Sequence, residues 1–322
     1  MKRKGLFAIG AAAVAMAATG ALLWRHFAPP PALPTLPGVD DAQMQALYAD
    51  PLPAPDEPLS VYHIGHSLMN RDMPAMLAQL AGDGHRHESQ LGWGATLQSH
   101  WGDAPVNGFE QENAHPNFRP AREAVESGDY DVLVLTEMVE IRDALRFHEP
   151  ARYVAQFTEA ARAARPDTRV YLYETWHPLN DPEGWLERLD ADLPRYWEAG
   201  ILRPALLKDP EGRPIHLIPA GQALAAFVRE VEARGGVGNV KTRHDLFSDD
   251  IHLNDLGNYF IALVHYAVLY GDNPEGLPHE LLRADGTPAT APAPETARLM
   301  QDVVWRVVSA SPLTGVAGQT AP

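Results

Sequence analysis

The sequence predicts an α/β domain, a parallel sheet of about five strands with helices on both faces. Two observations carry this. After residue 58 short apolar runs alternate with helix-like stretches, the pattern of repeated strand–helix–strand units. The third of these runs, Val132-Leu133-Val134-Leu135, contains no polar residue, which suits a central strand covered on both sides.

The elements follow in order. Residues 59–64 read as the first strand and 73–80 as a helix, with Pro74 tolerated in its first turn. Residues 85–91 supply the second strand, 119–127 a helix and 132–135 the third strand. A helix over 153–164 precedes a fourth strand at 170–173. A helix over 185–197, a fifth strand at 215–218 and a helix over 220–233 come next. A long helix over 255–270 and an amphipathic one over 295–308 complete the domain, the latter with Leu299, Val303, Val304 and Val307 on one face. Gly235-Gly236-Val237-Gly238 lacks the strand–loop–helix context and the lysine of a phosphate loop, so it reads as a hinge or connector.

The chain divides into residues 1–26, 27–58, 59–310 and 311–322. Lys2-Arg3-Lys4 precedes twenty uncharged residues, 5–24, long enough as a helix to span about 30 Å of bilayer core. The basic flank predicts export of everything that follows. An uncleaved anchor is favoured, because the apolar run continues to Trp24. A signal peptide cut near Ala15-Met16-Ala17 is the rival reading. Either makes this segment the only contact with a membrane and places the domain in the periplasm or outside the cell. Nine prolines between Pro29 and Pro58 suggest a stiff linker with one short helix near residues 40–49. Residues 311–322 read as a disordered tail.

Composition narrows the chemistry. The chain has no cysteine, which excludes disulfides, thiolate nucleophiles and Cys-bound metals. Its formal charge is -16, and no acidic residue precedes Asp40, so the domain itself is more acidic still. Such a surface repels phosphate backbones, and nucleic acid is not an expected partner. His85-x-His87 has the spacing of a metal pair but no third ligand beside it, and reads as a solvated pair. Neither a metal nor a cofactor is expected.

Ligands of parallel sheets sit at the C-terminal ends of the strands. Ser67 follows the first strand, Gly92 and Gly94 the second. Thr136 and Glu137 end the third, and Glu174, Thr175 and Trp176 the fourth. Far downstream, Asp249-Asp250-Ile251-His252 offers an aspartate three residues before a histidine. A serine hydroxyl becomes a nucleophile only when a base takes its proton, and the base needs an orienting group. Ser67, His252 and Asp249 supply all three. Trp93, Trp101 and Trp176 near strand ends could stack on sugar rings. Glu137 and Glu174 form a carboxylate pair at adjacent strand ends, read here as structural or hydroxyl-binding.

Gly65-His66-Ser67-Leu68-Met69 lacks the second glycine of the α/β-hydrolase nucleophile elbow. A strand-end G-x-S-L, then Gly94-Ala95-Thr96 as G-x-T, then a late D-x-x-H, resembles the SGNH (GDSL) hydrolase superfamily over residues 59–270. Within it the chain is most similar to a sparsely described bacterial branch, through Glu137, Thr175-Trp176, Gly257 and Tyr259. The resemblance implies a flavodoxin-like three-layer αβα sandwich. It also implies catalysis by Ser67, His252 and Asp249, with the N–H groups of Ser67 and Gly94 in the oxyanion hole. The chain departs from the pattern in two places. His66 stands where Asp or Asn is usual, and the G-x-N-D block, whose Asn gives a third oxyanion hydrogen bond, is absent. Thr136, Gln98 or Asn180 is the expected substitute, and Glu137 could donate only if burial kept it protonated. His66, Trp93, Glu137 and Trp176 are the candidate substrate-binding residues.

The expected activity is hydrolysis of small acyl esters, foremost acetyl, with O-acetylated carbohydrate as a candidate substrate. Two other readings stay open. One is an O-acetyltransferase acting on envelope or extracellular polysaccharide. The other is a degenerate domain that binds carbohydrate or a protein partner.

Overall fold

A computed structural model describes residues 31–209 and 211–318. The segment read as an anchor or signal lies outside the described residues. Among the described residues no helix is long and apolar enough to cross a membrane.

After a short helix, α1 (Asp41–Leu47), come β1 (Ser60–His66), α2 (Asp72–Ala81), β2 (Arg86–Gly92), α3 (Leu97–Trp101), α4 (Phe109–Glu112) and α5 (Ala121–Ser127). Next are β3 (Val132–Thr136), α6 (Ile141–Phe147), α7 (Pro150–Ala164), β4 (Arg169–Glu174) and α8 (Trp185–Asp192). A π-helical stretch (Leu193–Leu202), α9 (Arg203–Leu206), β5 (His216–Pro219), α10 (Ala220–Ala233), α11 (Asp255–Tyr270) and α12 (Pro294–Ala310) follow. The five strands form one parallel sheet in the order β2-β1-β3-β4-β5, the flavodoxin-like order. The winding reverses between β1 and β3. That switch point is where sheets of this kind open a crevice for ligands, and Ser67 is the residue that leaves β1 there.

Packing explains the element types. β3 is buried along its whole length, as its unbroken apolar run requires. On one face of the sheet Val61, Val134 and Tyr173 pack with Met73 and Leu77 of α2, Phe227 of α10, Phe260 and Leu263 of α11, and Met300 and Val304 of α12. α11 is apolar almost all round because most of its surface is covered.

The structure departs from the expectations where local signals are weak. α3, α4, α6 and α9 are four to seven residues long, too short to show a helical period. The helix expected over 185–197 is α-helical only to Asp192. Pro194 has no N–H to return to the preceding turn, and the helix continues in π geometry. The expected linker and tail also need correction. From Pro34 onward the chain belongs to the folded unit. Val39, Met44 and Tyr48 are buried, the Tyr48 hydroxyl donates to the Ile215 carbonyl, and Leu52 N–H donates to Gly315 O at 2.7 Å. Apolar side chains carried on a pre-extended proline-rich backbone lose little entropy on docking, so this strap packs rather than floats. At the other end Thr314 and Val316 are buried, so residues 311–318 are ordered too.

Histidines are built into the interior. His63 and His265 are fully buried with ring centroids 6.2 Å apart, and His216 is buried beside Tyr171. Burial pulls His66, His85, His87, His100, His216 and His265 down to about 4, so each stays neutral in the fold. In the unfolded chain these groups take up protons near pH 6.5. Stability therefore falls as pH drops from about 6.5 toward about 4. Burial raises Glu137 to about 7 and Glu174 to about 8, which opposes this with fewer groups and places the optimum near neutrality. The urea midpoint should be highest near pH 7 and fall steeply by pH 5, and an equal midpoint at both would contradict the neutral-histidine interior.

Candidate active site

The turn Ser248–Leu253 is organised by one side chain. Asp249 Oδ1 accepts the backbone N–H of Ile251 at 2.8 Å and of His252 at 2.7 Å. Its Oδ2 lies 2.7 Å from His252 Nδ1. These three hydrogen bonds, the backbone pair foremost, hold the Asp249 carboxyl down at about 2. An acceptor that is always ionised fixes the proton on Nδ1 and leaves Nε2 as the acceptor. His252 Nε2 lies 3.0 Å from Ser67 Oγ. The three sequence-predicted residues thus form one continuous relay, and Asp250 is excluded from it. Asp250 Oδ2 instead accepts from Asn180 at 2.9 Å, and its carbonyl accepts Leu179 N–H at 2.7 Å. The relay lies at the surface, with His252 and Asp249 side chains 43% and 55% exposed.

The loops at the sheet's C-terminal edge are braced against one another. His66 is fully buried. Its Nε2–H donates to the Glu137 carbonyl at 2.8 Å, and its Nδ1 accepts Leu68 N–H at 3.3 Å. His100, in α3, donates from Nε2 to the Gly65 carbonyl at 2.8 Å and receives Gln90 Nε2 on Nδ1 at 2.8 Å. Glu137 is likewise buried, accepting Met138 N–H at 2.8 Å and Leu97 N–H at 3.4 Å. Trp176 donates its indole N–H to the Ile251 carbonyl at 2.8 Å, inside the turn that carries Asp249 and His252. These contacts correct three expectations. His66, Glu137 and Trp176 do not face substrate, because their polar atoms are spent on protein and their surfaces are enclosed. Glu137 and Glu174 are not a pair either, since Glu174 turns away to Gln222. Of the four candidate substrate residues only Trp93, 52% exposed, is open to solvent.

Two backbone N–H groups that the sequence singled out, those of Ser67 and Gly94, carry no protein acceptor among the described residues. Gly94 has φ +52, and a Cβ there would meet nothing within 4 Å, so its backbone borders open space. Thr96, the third residue of G-x-T, caps α3 through Ser99. The substitutes weighed for a third donor are occupied or enclosed. Asn180 Nδ2 donates to Asp250 at 2.9 Å, and Gln98 is held by His148 on its side-chain carbonyl at 2.9 Å and by the Tyr153 hydroxyl. Thr136 is fully buried, its hydroxyl without a partner beside Gly65, on the face of β3 that carries Val132 and Val134 into the core.

His100 and Gln90 were not foreseen, and neither was Asn70. Asn70, at φ +46, caps α2 through its Oδ1 and donates from Nδ2 to Asn258 at 2.7 Å. This joins the serine loop to the helix that starts just after His252. An Asn just ahead of a helix is a capping signal, but its partner 188 residues away is invisible in sequence. α11 is capped by Asn254, whose side chain accepts the N–H groups of Leu256 and Gly257. His85 and His87 are partly buried, bonded to Tyr270 and Asn117 rather than solvated. Among the described residues no three His, Asp or Glu side chains are arranged to hold a metal ion.

No protein-family model matches the chain, and no curated protein matches it. Among solved structures it is similar to a DUF4886 family protein from Bacteroides uniformis, with a TM-score of 0.52 at 14% identity. The match covers 78% of this chain and 95% of that one. At such identity the likeness bears on the fold alone, a parallel α/β sheet.

Replacing Trp176 by Phe keeps an aromatic ring in place but frees the Ile251 carbonyl. If the turn needs that tether, reaction at Ser67 with a sulfonyl fluoride should slow by about 10- to 100-fold, the effect of misplacing a catalytic group by roughly an ångström. An unchanged labelling rate would show that Asp249 alone suffices to shape the turn.

Proposed function

We propose that the chain is an SGNH-type serine esterase acting on short acyl esters, with acetyl foremost. The observation that carries this is the relay from Asp249 through His252 to Ser67, with steps of 2.7 and 3.0 Å. Hydroxyl, imidazole and carboxylate at these separations are the parts needed to make a serine nucleophilic.

In this reading Ser67 Oγ attacks the ester carbonyl as its proton passes to His252 Nε2. The imidazolium that forms is stabilised by Asp249. The tetrahedral oxyanion is met by the N–H groups of Ser67 and Gly94. Collapse expels the alcohol, which takes the proton back from Nε2. Water then enters, gives a proton to His252 and attacks the acyl-serine, releasing the acid and restoring Ser67. The open setting of the relay suits a short acyl group on a large alcohol better than a long chain needing an enclosed channel. With two donors rather than three, transition-state stabilisation is less by about 3–4 kcal/mol. The export signature in residues 1–26 fits an extracytoplasmic substrate. Transfer to a sugar hydroxyl would use the same acyl-serine with a different acceptor.

Hydrolysis of p-nitrophenyl acetate should be measurable and slow, below about 1 per second. Ser67→Ala and His252→Ala should each abolish it. Asp249→Asn should lower kcat by about 10,000-fold, through the wrong imidazole tautomer. Full activity in Ser67→Ala would sink the proposal.

A further inference from the structure

We infer that Trp93 is a preformed platform for one face of a neutral pyranose ring, which makes the alcohol side of the substrate a carbohydrate. The inference takes Ser67 as the reacting group proposed above.

Position comes first. Gly92 is the register partner of His66, so β1 and β2 deliver Ser67 and Trp93 as the next residue of each strand. Neighbouring strands run about 4.8 Å apart. Trp93 also directly precedes Gly94, which is exposed and whose N–H has no protein acceptor among the described residues. A ring lying on Trp93 would therefore be next to both the nucleophile and a proposed oxyanion donor.

The indole is fixed before any ligand arrives. Its Nε1 donates to Glu112 at 2.6 Å, and the Trp93 backbone N–H donates to Asn107 O at 2.8 Å. One face lies on the backbone of Gly108, where a Cβ would come within 2.3 Å of the ring. Gly108 has φ +67, so the close approach and the turn both require glycine. Gly92 is needed in the same way, since a Cβ there would strike Val106 at 2.4 Å. The loop over residues 106–108 thus backs the ring on one side and leaves it 52% exposed, while Trp176, Trp185 and Trp197 are enclosed.

A large apolar ring held rigid and half in water is costly unless something covers it, and rigidity lowers the entropy lost when a ligand docks. A pyranose with equatorial substituents offers a flat face of C–H groups that matches an indole. The Glu112 carboxylate accepts the indole N–H and borders the ring, so a uronic acid or sulfated sugar would be repelled there and a neutral ring accepted.

The test reads binding rather than turnover. Ser67→Ala protein is titrated calorimetrically with O-acetylated β-1,4-linked glucose tetramer, beside Ser67→Ala/Trp93→Ala and Ser67→Ala/Trp93→Phe. The alanine change should weaken binding by about tenfold or more, and phenylalanine should restore part of it. Unchanged thermal midpoints confirm that the variants fold. No binding by Ser67→Ala, or equal binding with and without Trp93, overturns the platform. Hydrolysis of p-nitrophenyl acetate by the unsubstituted chain separates the two readings. Hydrolysis without Trp93-dependent sugar binding removes the platform and leaves the esterase. Trp93-dependent binding without hydrolysis removes the esterase and leaves a sugar site.

Discussion

The site depends on one separation, the 3.0 Å between Ser67 Oγ and His252 Nε2, made by residues 185 positions apart. Nothing local enforces it, so it must be inherited from the packing of two loops. Asp249 sets the internal shape of one loop by spending one carboxylate oxygen on backbone and the other on imidazole. Trp176, Leu179 and Asn180, all following β4, then hold that loop to the sheet. The serine loop is held from its other end by Asn70, which reaches Asn258 in α11.

Buried imidazoles do the bracing between the first three strand ends. A neutral histidine has a donor on one ring edge and an acceptor on the other, so a single side chain can join two backbone segments without burying a charge. His66 and His100 both act in this way. This gives a physical account of a histidine directly before Ser67. The imidazole reaches the carbonyl beyond β3 while its other nitrogen caps the chain just after Ser67.

The fold was legible because it is written in repeating local signals. The bounds of α10 and α11 could be read from sequence to the residue, and each strand to within one or two. The relay was legible for a different reason, because Asp249 and His252 are close neighbours in the chain and Ser67 ends an apolar run. What stayed hidden has no local signature. Trp176 reads in sequence like any aromatic at a strand end, and its role lies in one hydrogen bond to a carbonyl 75 residues on. Glu137 looks like a substrate ligand until it is seen accepting Leu97 N–H, 40 residues back. The strap and the tail misled because proline-rich composition describes stiffness and says nothing about whether apolar side chains find a surface.

That strap changes what the far edge of the sheet is. β5 ends the sheet opposite β2, and a terminal strand with free N–H and C=O groups is a template on which other chains can add. Tyr48 takes the carbonyl of Ile215 at the entry to this strand, and Leu52 pairs with Gly315, which itself packs against His216. The proline-rich segment and the C-terminal residues thus act together as a cover for a sticky border. Loss of the strap would leave the relay intact and uncover part of that border for edge-to-edge pairing.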